Sequence, residues 1–347
     1  MEKILRYALV GCGSFGNVHL STMTKIPGTK IAALCDIHPE SCTLLKERYG
    51  LEDAVCYTDY KELLAKEEID VVSVVTSDKA HCAVTVAALK AGCHVICEKP
   101  MSLFTEDCVE MVQTAHETGK LLMVGQVCRC APGFVKAKEL VDDGAIGELY
   151  YVESEYAHDY TNIKGVDNWR VDPDREPIIG GACHAIDLLR WIAGNPVETT
   201  AYSNHKVLTD WPVDDTTIAI FKFPDQVIGK VFTSIGCKRN YTMRTVLYGT
   251  KGTIIVNNTD PVLDLYQLQA DGKSALTQIP LEINNHNVQA EHEIFRDAVL
   301  NGTPLVTTGE EGARTVTVCR AVVESAKTGV PVQIVYPVLH KPFEKSP

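Results

Sequence analysis

The chain has 347 residues, 45% apolar and 22% charged, which excludes disordered and fibrous classes and supplies enough chain for two domains. Its formal net charge is −12 at pH 7 and its Lys and Arg are not clustered, so nucleic acid is excluded as a partner and a neutral or weakly charged small molecule is favoured. Thirteen cysteines without a disulfide-framework spacing read as reduced thiols of a cytoplasmic protein.

No run approaches the roughly 20 apolar residues of a membrane span, so no membrane partner is expected. Cys183-His184, and Cys128 with Cys130, lack the second pair of a structural zinc site, so no metal is expected either.

From Arg6 to Val124, β-branched runs alternate with amphipathic stretches, the pattern of a parallel sheet with crossover helices. Strands are predicted at Tyr7–Val10, Lys30–Cys35, Val71–Val74, His94–Ile96 and Leu121–Val124. Helices are predicted at Glu40–Tyr49, Asp59–Ala65, Ala80–Ala91 and Thr105–Thr118, with Gly50, Gly92 and Gly119 placed to end them.

Beyond Gly125 the character changes. A helix over Phe134–Asp142 leads to a strand at Leu149–Tyr156 and then to an irregular stretch, Asp159 to Gly181, long enough to suggest a functional loop. A helix from His184 to Ala193 follows. The alternation from Thr199 to Val256 predicts antiparallel strands, with Phe221, Phe223, Val231 and Phe232 facing inward. Helices at Gln289–Leu300 and Glu310–Lys327 and a strand at Val332–Val335 complete an α+β domain. The division is thus a Rossmann domain with a parallel sheet over 1–124, then an α+β domain with a mostly antiparallel sheet over 125–340.

The run Ala8-Leu9-Val10-Gly11-Cys12-Gly13-Ser14-Phe15-Gly16 supplies a strand, a GxGxxG turn and the opening of a helix. In that context Gly11 permits the tight turn, Gly13 lets backbone approach a pyrophosphate, and Gly16 packs the helix close to the sheet. The second strand ends in Cys35-Asp36. A carboxylate there accepts hydrogen bonds from adenosine ribose hydroxyls and repels the extra phosphate of NADP, so NAD is the expected cofactor. His38 and Arg48 soften that preference.

Three further segments, Glu98-Lys99-Pro100, Gly180-Gly181-Ala182-Cys183-His184-Ala185-Ile186-Asp187 and Tyr248-Gly249-Thr250-Lys251-Gly252-Thr253, make the chain resemble the Gfo/Idh/MocA family of sugar and cyclitol oxidoreductases over nearly its whole length. The stretches Thr76–His81 and Gly119–Arg129 are similar to it too. The resemblance implies an open-faced sheet in the second domain and a homodimer or homotetramer.

It also implies that Lys99 hydrogen-bonds the reacting hydroxyl, that His184 is the catalytic acid or base, and that Asp187 is the acidic residue accompanying it. The implied cofactor contacts are Gly11, Gly13, Ser14, Phe15, Gly16, Asp36, Thr76, His81, Glu98 and Lys99. Independently of the family, Lys99 stands just past a parallel strand, where open α/β sheets place ligand contacts, and a histidine at a helix start stays neutral and able to accept a proton.

On the long stretch, Trp169 and Arg170 are candidates to stack on and hydrogen-bond a sugar, with Arg129 a further substrate contact. His158, Asp159, Tyr160 and Asn162 share that stretch. The family often carries Asp four residues before the histidine; here Gly180 stands there. Either that acid is dispensable, or Asp172, Asp174 or Asp187 replaces it, or the chemistry differs. The implied reaction is hydride transfer from a secondary hydroxyl of a sugar, glycoside or cyclitol to NAD. A redox-neutral glycosidase or epimerase retaining NAD, and a catalytically silent NAD-binding sensor, are the alternatives.

Overall fold

The computed structural model describes residues 4–284 and 286–339, and the chain forms two compact units. In the first, β1 (Leu5–Val10), β2 (Thr29–Cys35), β3 (Val55–Tyr57), β4 (Val71–Val74), β5 (His94–Cys97) and β6 (Leu122–Val124) pair in parallel in the order 3-2-1-4-5-6. The helices are α1 (Ser14–Met23), α2 (Pro39–Arg48), α3 (Tyr60–Lys66), α4 (His81–Lys90) and α5 (Thr105–Thr118). Strand order reverses between β1 and β4, which opens a crevice at their carboxyl ends.

Both faces of this sheet are covered, which is why its strands are unbroken apolar runs. Successive residues of β1 serve opposite faces. Ala8 and Val10 join a core with Val72, Val74, Leu89 and Met111, whereas Leu5, Tyr7 and Leu9 join one with Leu20, Met23 and Phe295. The short edge strand β3, which the apolar pattern does not reveal, exposes Val55 and Cys56. Asp59 caps α3 by accepting the Lys61 N–H at 2.8 Å.

The second unit is built on a nine-stranded sheet. Its strands are β7 (Leu149–Ala157), β8 (Glu198–Asn204), β9 (Thr216–Lys222), β10 (Ile228–Ser234), β11 (Thr242–Gly249), β12 (Gly252–Asn257), β13 (Val262–Leu268), β14 (Ser274–Pro280) and β15 (Val332–Gln333), in the order 14-13-12-11-7-10-9-8-15. Among the described residues of this sheet, only β7 and β10 pair in parallel. Helices α6 (Pro132–Asp142), α7 (Pro177–Gly180) and α8 (Cys183–Ala193) accompany it. Val152, Ala219, Phe221 and Val231 are buried on the inner face, and a Cβ on Gly229 would come within 3.1 Å of the Leu189 side chain of α8.

Two expectations need correction here. Phe232 is adjacent to the buried Val231 and therefore points to the other face, where it is only half-buried. The antiparallel sheet also continues past Val256 into β13 and β14; β14 is almost wholly exposed, so no burial constrains its residues to an apolar alternation.

After Asn287 the chain returns to the first unit with α9 (Val288–Asn301), and the following α10 (Gly309–Thr328) is divided between the units after Thr317. Phe295 of α9 is fully buried among Leu9, Leu20 and Met23. Val288–Thr317 therefore belongs with the Rossmann sheet, whereas a division in chain order assigns it to the second domain. Among the described residues no helix is long and apolar enough to cross a membrane.

Candidate active site

The crevice of the first unit has the form of a dinucleotide cradle. Gly11 follows β1 with φ +101°, and a Cβ there would collide with the Val75 carbonyl at the end of β4. Gly16 likewise has no room for a side chain against the Gly11 carbonyl, so α1 starts tight against the loop. A Cβ on Gly13 would meet nothing within 4 Å. That open space faces the amino end of α1, where backbone N–H groups and the helix dipole favour phosphate. Ser14 is exposed beside it, and Phe15 is half-buried, edge-on to the His19 ring at 5.3 Å.

Asp36 stands at the end of β2. Its Oδ2 accepts the Cys12 N–H at 2.7 Å and its Oδ1 the His38 N–H at 2.9 Å. These bonds fix the carboxylate, and each oxygen keeps acceptor capacity for a ribose hydroxyl. Cys12, inside the glycine turn, is buried with its Sγ 3.6 Å from that of Cys42. The donors, the open Gly13 and the oriented carboxylate fit NAD.

Glu98 and Lys99 follow β5. Glu98 is buried; its Oε1 accepts the His19 Nε2–H at 3.0 Å and its Oε2 the Lys99 N–H at 3.0 Å. Burial pushes the Glu98 carboxyl up, but the His19 bond and the charges of His19 and Lys99 outweigh it, so the group is held below the ordinary carboxylate range. Lys99 is half-buried and joined to Pro100 by a cis peptide bond.

His81 is the first residue of α4. Its ring is 1% exposed, with Nδ1 2.9 Å from the Pro100 carbonyl and Nε2 3.2 Å from the Thr76 carbonyl. It braces the turns after β4 and β5. Burial disfavours its charge, yet Cys97, Asp78 and the Pro100 carbonyl prevail and raise its pKa to about 10. Thr76 is half-buried, with its hydroxyl donating to the Ser77 carbonyl.

In the second unit, His184 lies in the first turn of α8, buried, with its ring 5.9 Å from that of His286. Tyr241 donates to or accepts from His286 Nε2 at 3.1 Å and stacks at a tilt on His158 at 4.6 Å. Tyr156 and Tyr160 share a hydroxyl hydrogen bond of 2.8 Å. This aromatic and imidazole group lies apart from His184 in sequence; its one legible trace was the presence of His158 and Tyr160 on the irregular stretch.

Asp187 is fully buried and receives two bonds from Arg129, Nε to Oδ2 and Nη2 to Oδ1, both 2.7 Å. Arg129 is itself buried and lies 5.7 Å from the Trp191 ring. Both residues are thus committed to a bidentate ion pair that ties α8 to the chain before α6.

The Trp169 ring is covered by two guanidinium groups, Arg170 at 4.5 Å and Arg175 at 5.1 Å. Arg175, buried and donating to the Gly180 carbonyl at 2.9 Å, fills the space beside Gly180. Gly181 is glycine for a parallel reason, since a Cβ there would lie 2.6 Å from the Tyr156 ring.

Residues 5–126 match the family model for an oxidoreductase family with an NAD-binding Rossmann fold, and residues 134–255 match the Gfo/Idh/MocA C-terminal domain. The chain belongs to the Gfo/Idh/MocA oxidoreductase family. It is accordingly an NAD-dependent enzyme.

Among curated relatives, the chain is 27% identical to the myo-inositol 2-dehydrogenase of Thermotoga maritima, with 89% of this chain and 92% of the relative covered. It is also 27% identical to the D-glucoside 3-dehydrogenase of Escherichia coli, covering 95% and 97%. A solved levoglucosan dehydrogenase with NADH and L-sorbose superposes with a TM-score of 0.88 at 22% identity, covering 97% and 100%; at that identity the likeness concerns the fold.

Proposed function

We propose that this enzyme transfers hydride between a secondary hydroxyl of a sugar, glycoside or cyclitol and NAD. The observation that carries the reading is the cradle of Gly11, Gly13, Gly16 and Asp36 followed, on the same sheet edge, by Lys99 held through its peptide N–H to an ionised Glu98. The names of the relatives, an inositol and a glucoside dehydrogenase, supply the substrate class. The cofactor supplies the hydride acceptor; the chain supplies alignment and proton handling.

In this reading Gly11, Gly13, Ser14, Phe15 and Gly16 surround the pyrophosphate, and Asp36 takes the ribose. Lys99 hydrogen-bonds the reacting hydroxyl, and His184 exchanges its proton. Arg170 is a substrate contact, whereas Trp169 orients the guanidinium groups of Arg170 and Arg175. Asp187 acts through Arg129, holding α8 and thereby His184. Glu98 orients Lys99.

The outer face of the nine-stranded sheet exposes Tyr202, Ile218, Ile220 and Ile228, and this apolar area supports a homodimer or homotetramer. The enzyme works as a soluble cytoplasmic protein on a small-molecule polyol.

A panel of inositols, free sugars and glycosides, offered with NAD and with NADP and followed by reduced-nicotinamide absorbance, tests the reading. A secondary-alcohol polyol should be turned over with NAD, and Lys99→Met should slow it at least 100-fold. Turnover untouched by Lys99→Met, or no net reduction with any polyol, overturns it.

A further inference from the structure

Behind Glu98 the first unit contains a buried chain of polar side chains, His19, His292 and Ser73, that the reading above does not use. His19, on α1, hydrogen-bonds Glu98 through Nε2 at 3.0 Å, and its Nδ1 meets His292 Nε2 of α9 at 2.9 Å and the Ser73 hydroxyl of β4 at 3.3 Å. His19, His292 and Ser73 are fully buried and Glu98 nearly so. The two imidazoles cross edge-to-face at 5.1 Å. Four elements of different sequence position thus converge on one carboxylate next to Lys99.

The bonding pattern is determined by the ends of the chain. Burial and the charge of His19 push the His292 pKa well below the ordinary histidine range, so His292 is neutral and carries one N–H. Glu98 is an acceptor on both oxygens, which requires a proton on His19 Nε2. On its other edge, His19 Nδ1 faces His292 Nε2 at 2.9 Å and the Ser73 hydroxyl at 3.3 Å, so the ring is held from both sides. His292 and Ser73 therefore hold the ring with Nε2 turned towards Glu98.

Gly125 completes the pocket: a Cβ there would lie 2.7 Å from Glu98 Oε1, so a side chain at this position would displace the carboxylate from its bond to His19. The remaining ionisable neighbours are Lys99, which favours the Glu98 anion, and Glu291 of α9. Glu291 is buried, and burial together with the Glu98 charge raises its pKa well above the carboxylate range, so it adds no competing charge.

We propose that His19 is a positioning residue for Lys99, holding Glu98 as a buried carboxylate that anchors the Lys99 peptide N–H and places a negative charge beside its ammonium group, with His292 and Ser73 holding the His19 ring in place. The proposal rests on the reading of Lys99 as a proton-handling residue. Without His19, Glu98 keeps its burial and loses its main counterweight. Its carboxyl is then driven towards the protonated form, increasingly so as pH falls, and the charge beside Lys99 is lost with it.

The test is a comparison of wild type, His19→Leu and His19→Gln, the last keeping an N–H donor for Glu98. The ratio of kcat/KM for His19→Leu to that of wild type should fall at least tenfold between pH 8 and pH 6, and His19→Gln should flatten that ratio. A role in packing alone predicts a ratio independent of pH and no rescue by Gln; either result overturns the proposal.

Carboxyl-carbon NMR of Glu98 in the wild-type enzyme with NAD bound decides the matter without a variant or a substrate. A carboxyl ionised throughout pH 5–9 supports it, and one titrating above pH 5 refutes it. If Lys99→Met retains turnover while Glu98 titrates as expected, the role of Lys99 fails and the carboxylate assignment stands.

Discussion

The guanidinium of Arg175 occupies the position that a side chain on Gly180 would need: a Cβ built on Gly180 falls against its Cζ and Nη1. Arg175 is 3% exposed, is bound to the Gly180 carbonyl at 2.9 Å, and has the Trp169 ring at 5.1 Å. The acid that family resemblance places four residues before His184 is therefore excluded by packing, and a cationic group stands in its place.

It follows that Gly180→Asp will not restore a missing catalytic group. The buried site has no room, and overpacking of this kind costs about 1–3 kcal/mol. Thermal unfolding should show that loss, and polyol turnover should fall. Arg175→Ser combined with Gly180→Asp should recover part of the stability, because the serine vacates the space. A Gly180→Asp enzyme as stable as wild type and more active would contradict this packing.

Asp36 offers a separate test at the cofactor. Its carboxylate takes the backbone N–H groups of Cys12 and His38, so Asp36→Ser removes both a ribose partner and part of the support of the glycine turn. NAD affinity should fall by about 10-fold, as expected for about 1.4 kcal/mol from lost hydrogen bonds. NADP, freed from charge repulsion, should lose less, narrowing the NAD/NADP ratio of kcat/KM. An unchanged ratio would remove Asp36 from the ribose site.

His81 makes stability depend on pH with a definite sign. Its folded pKa is raised to about 10, above the roughly 6.5 of an unfolded histidine. Its contribution is therefore fully present below about pH 6.5 and is lost as pH rises towards 10. His81→Leu should destabilise the first unit by about 2–3 kcal/mol near pH 6, the scale of charge-assisted bonds to buried carbonyls. The penalty should shrink by pH 10, read by denaturant unfolding at each pH. A penalty constant across that range would mean that the ring is neutral in the folded protein.

The parts of the molecule that were readable in the sequence are those fixed by local constraints. A parallel sheet buried on both faces writes itself as the runs at Tyr7–Val10 and Val71–Val74, and Gly16 is glycine because the Gly11 carbonyl approaches it within its own turn. Phe295 illustrates what is not readable: its helical spacing marks an apolar face, but nothing local says which sheet that face covers. The setting of His81 is hidden for the same reason, since its ring meets the carbonyl of Pro100, 19 residues away. His19 and His292, 273 residues apart, leave no joint mark on the sequence at all.

Asp187 separates a proton-handling role from a positioning role. It is fully buried, both its oxygens are bound by Arg129 at 2.7 Å, and Arg190 Nη1 approaches at 3.9 Å. A carboxylate so engaged has no free edge for a substrate proton, and its removal strands a buried guanidinium. Breaking such a pair costs about 3–5 kcal/mol, whereas replacing both partners by apolar groups of similar volume is often close to neutral. Asp187→Asn and Arg129→Met should each lower unfolding stability on that scale, while Arg129→Met with Asp187→Leu should regain most of it, a coupling measurable in a double-mutant cycle. Turnover should follow stability in all three enzymes, because α8 carries His184 one helical turn before Asp187. If Asp187→Asn instead abolished turnover at full stability, Asp187 itself would be moving the proton.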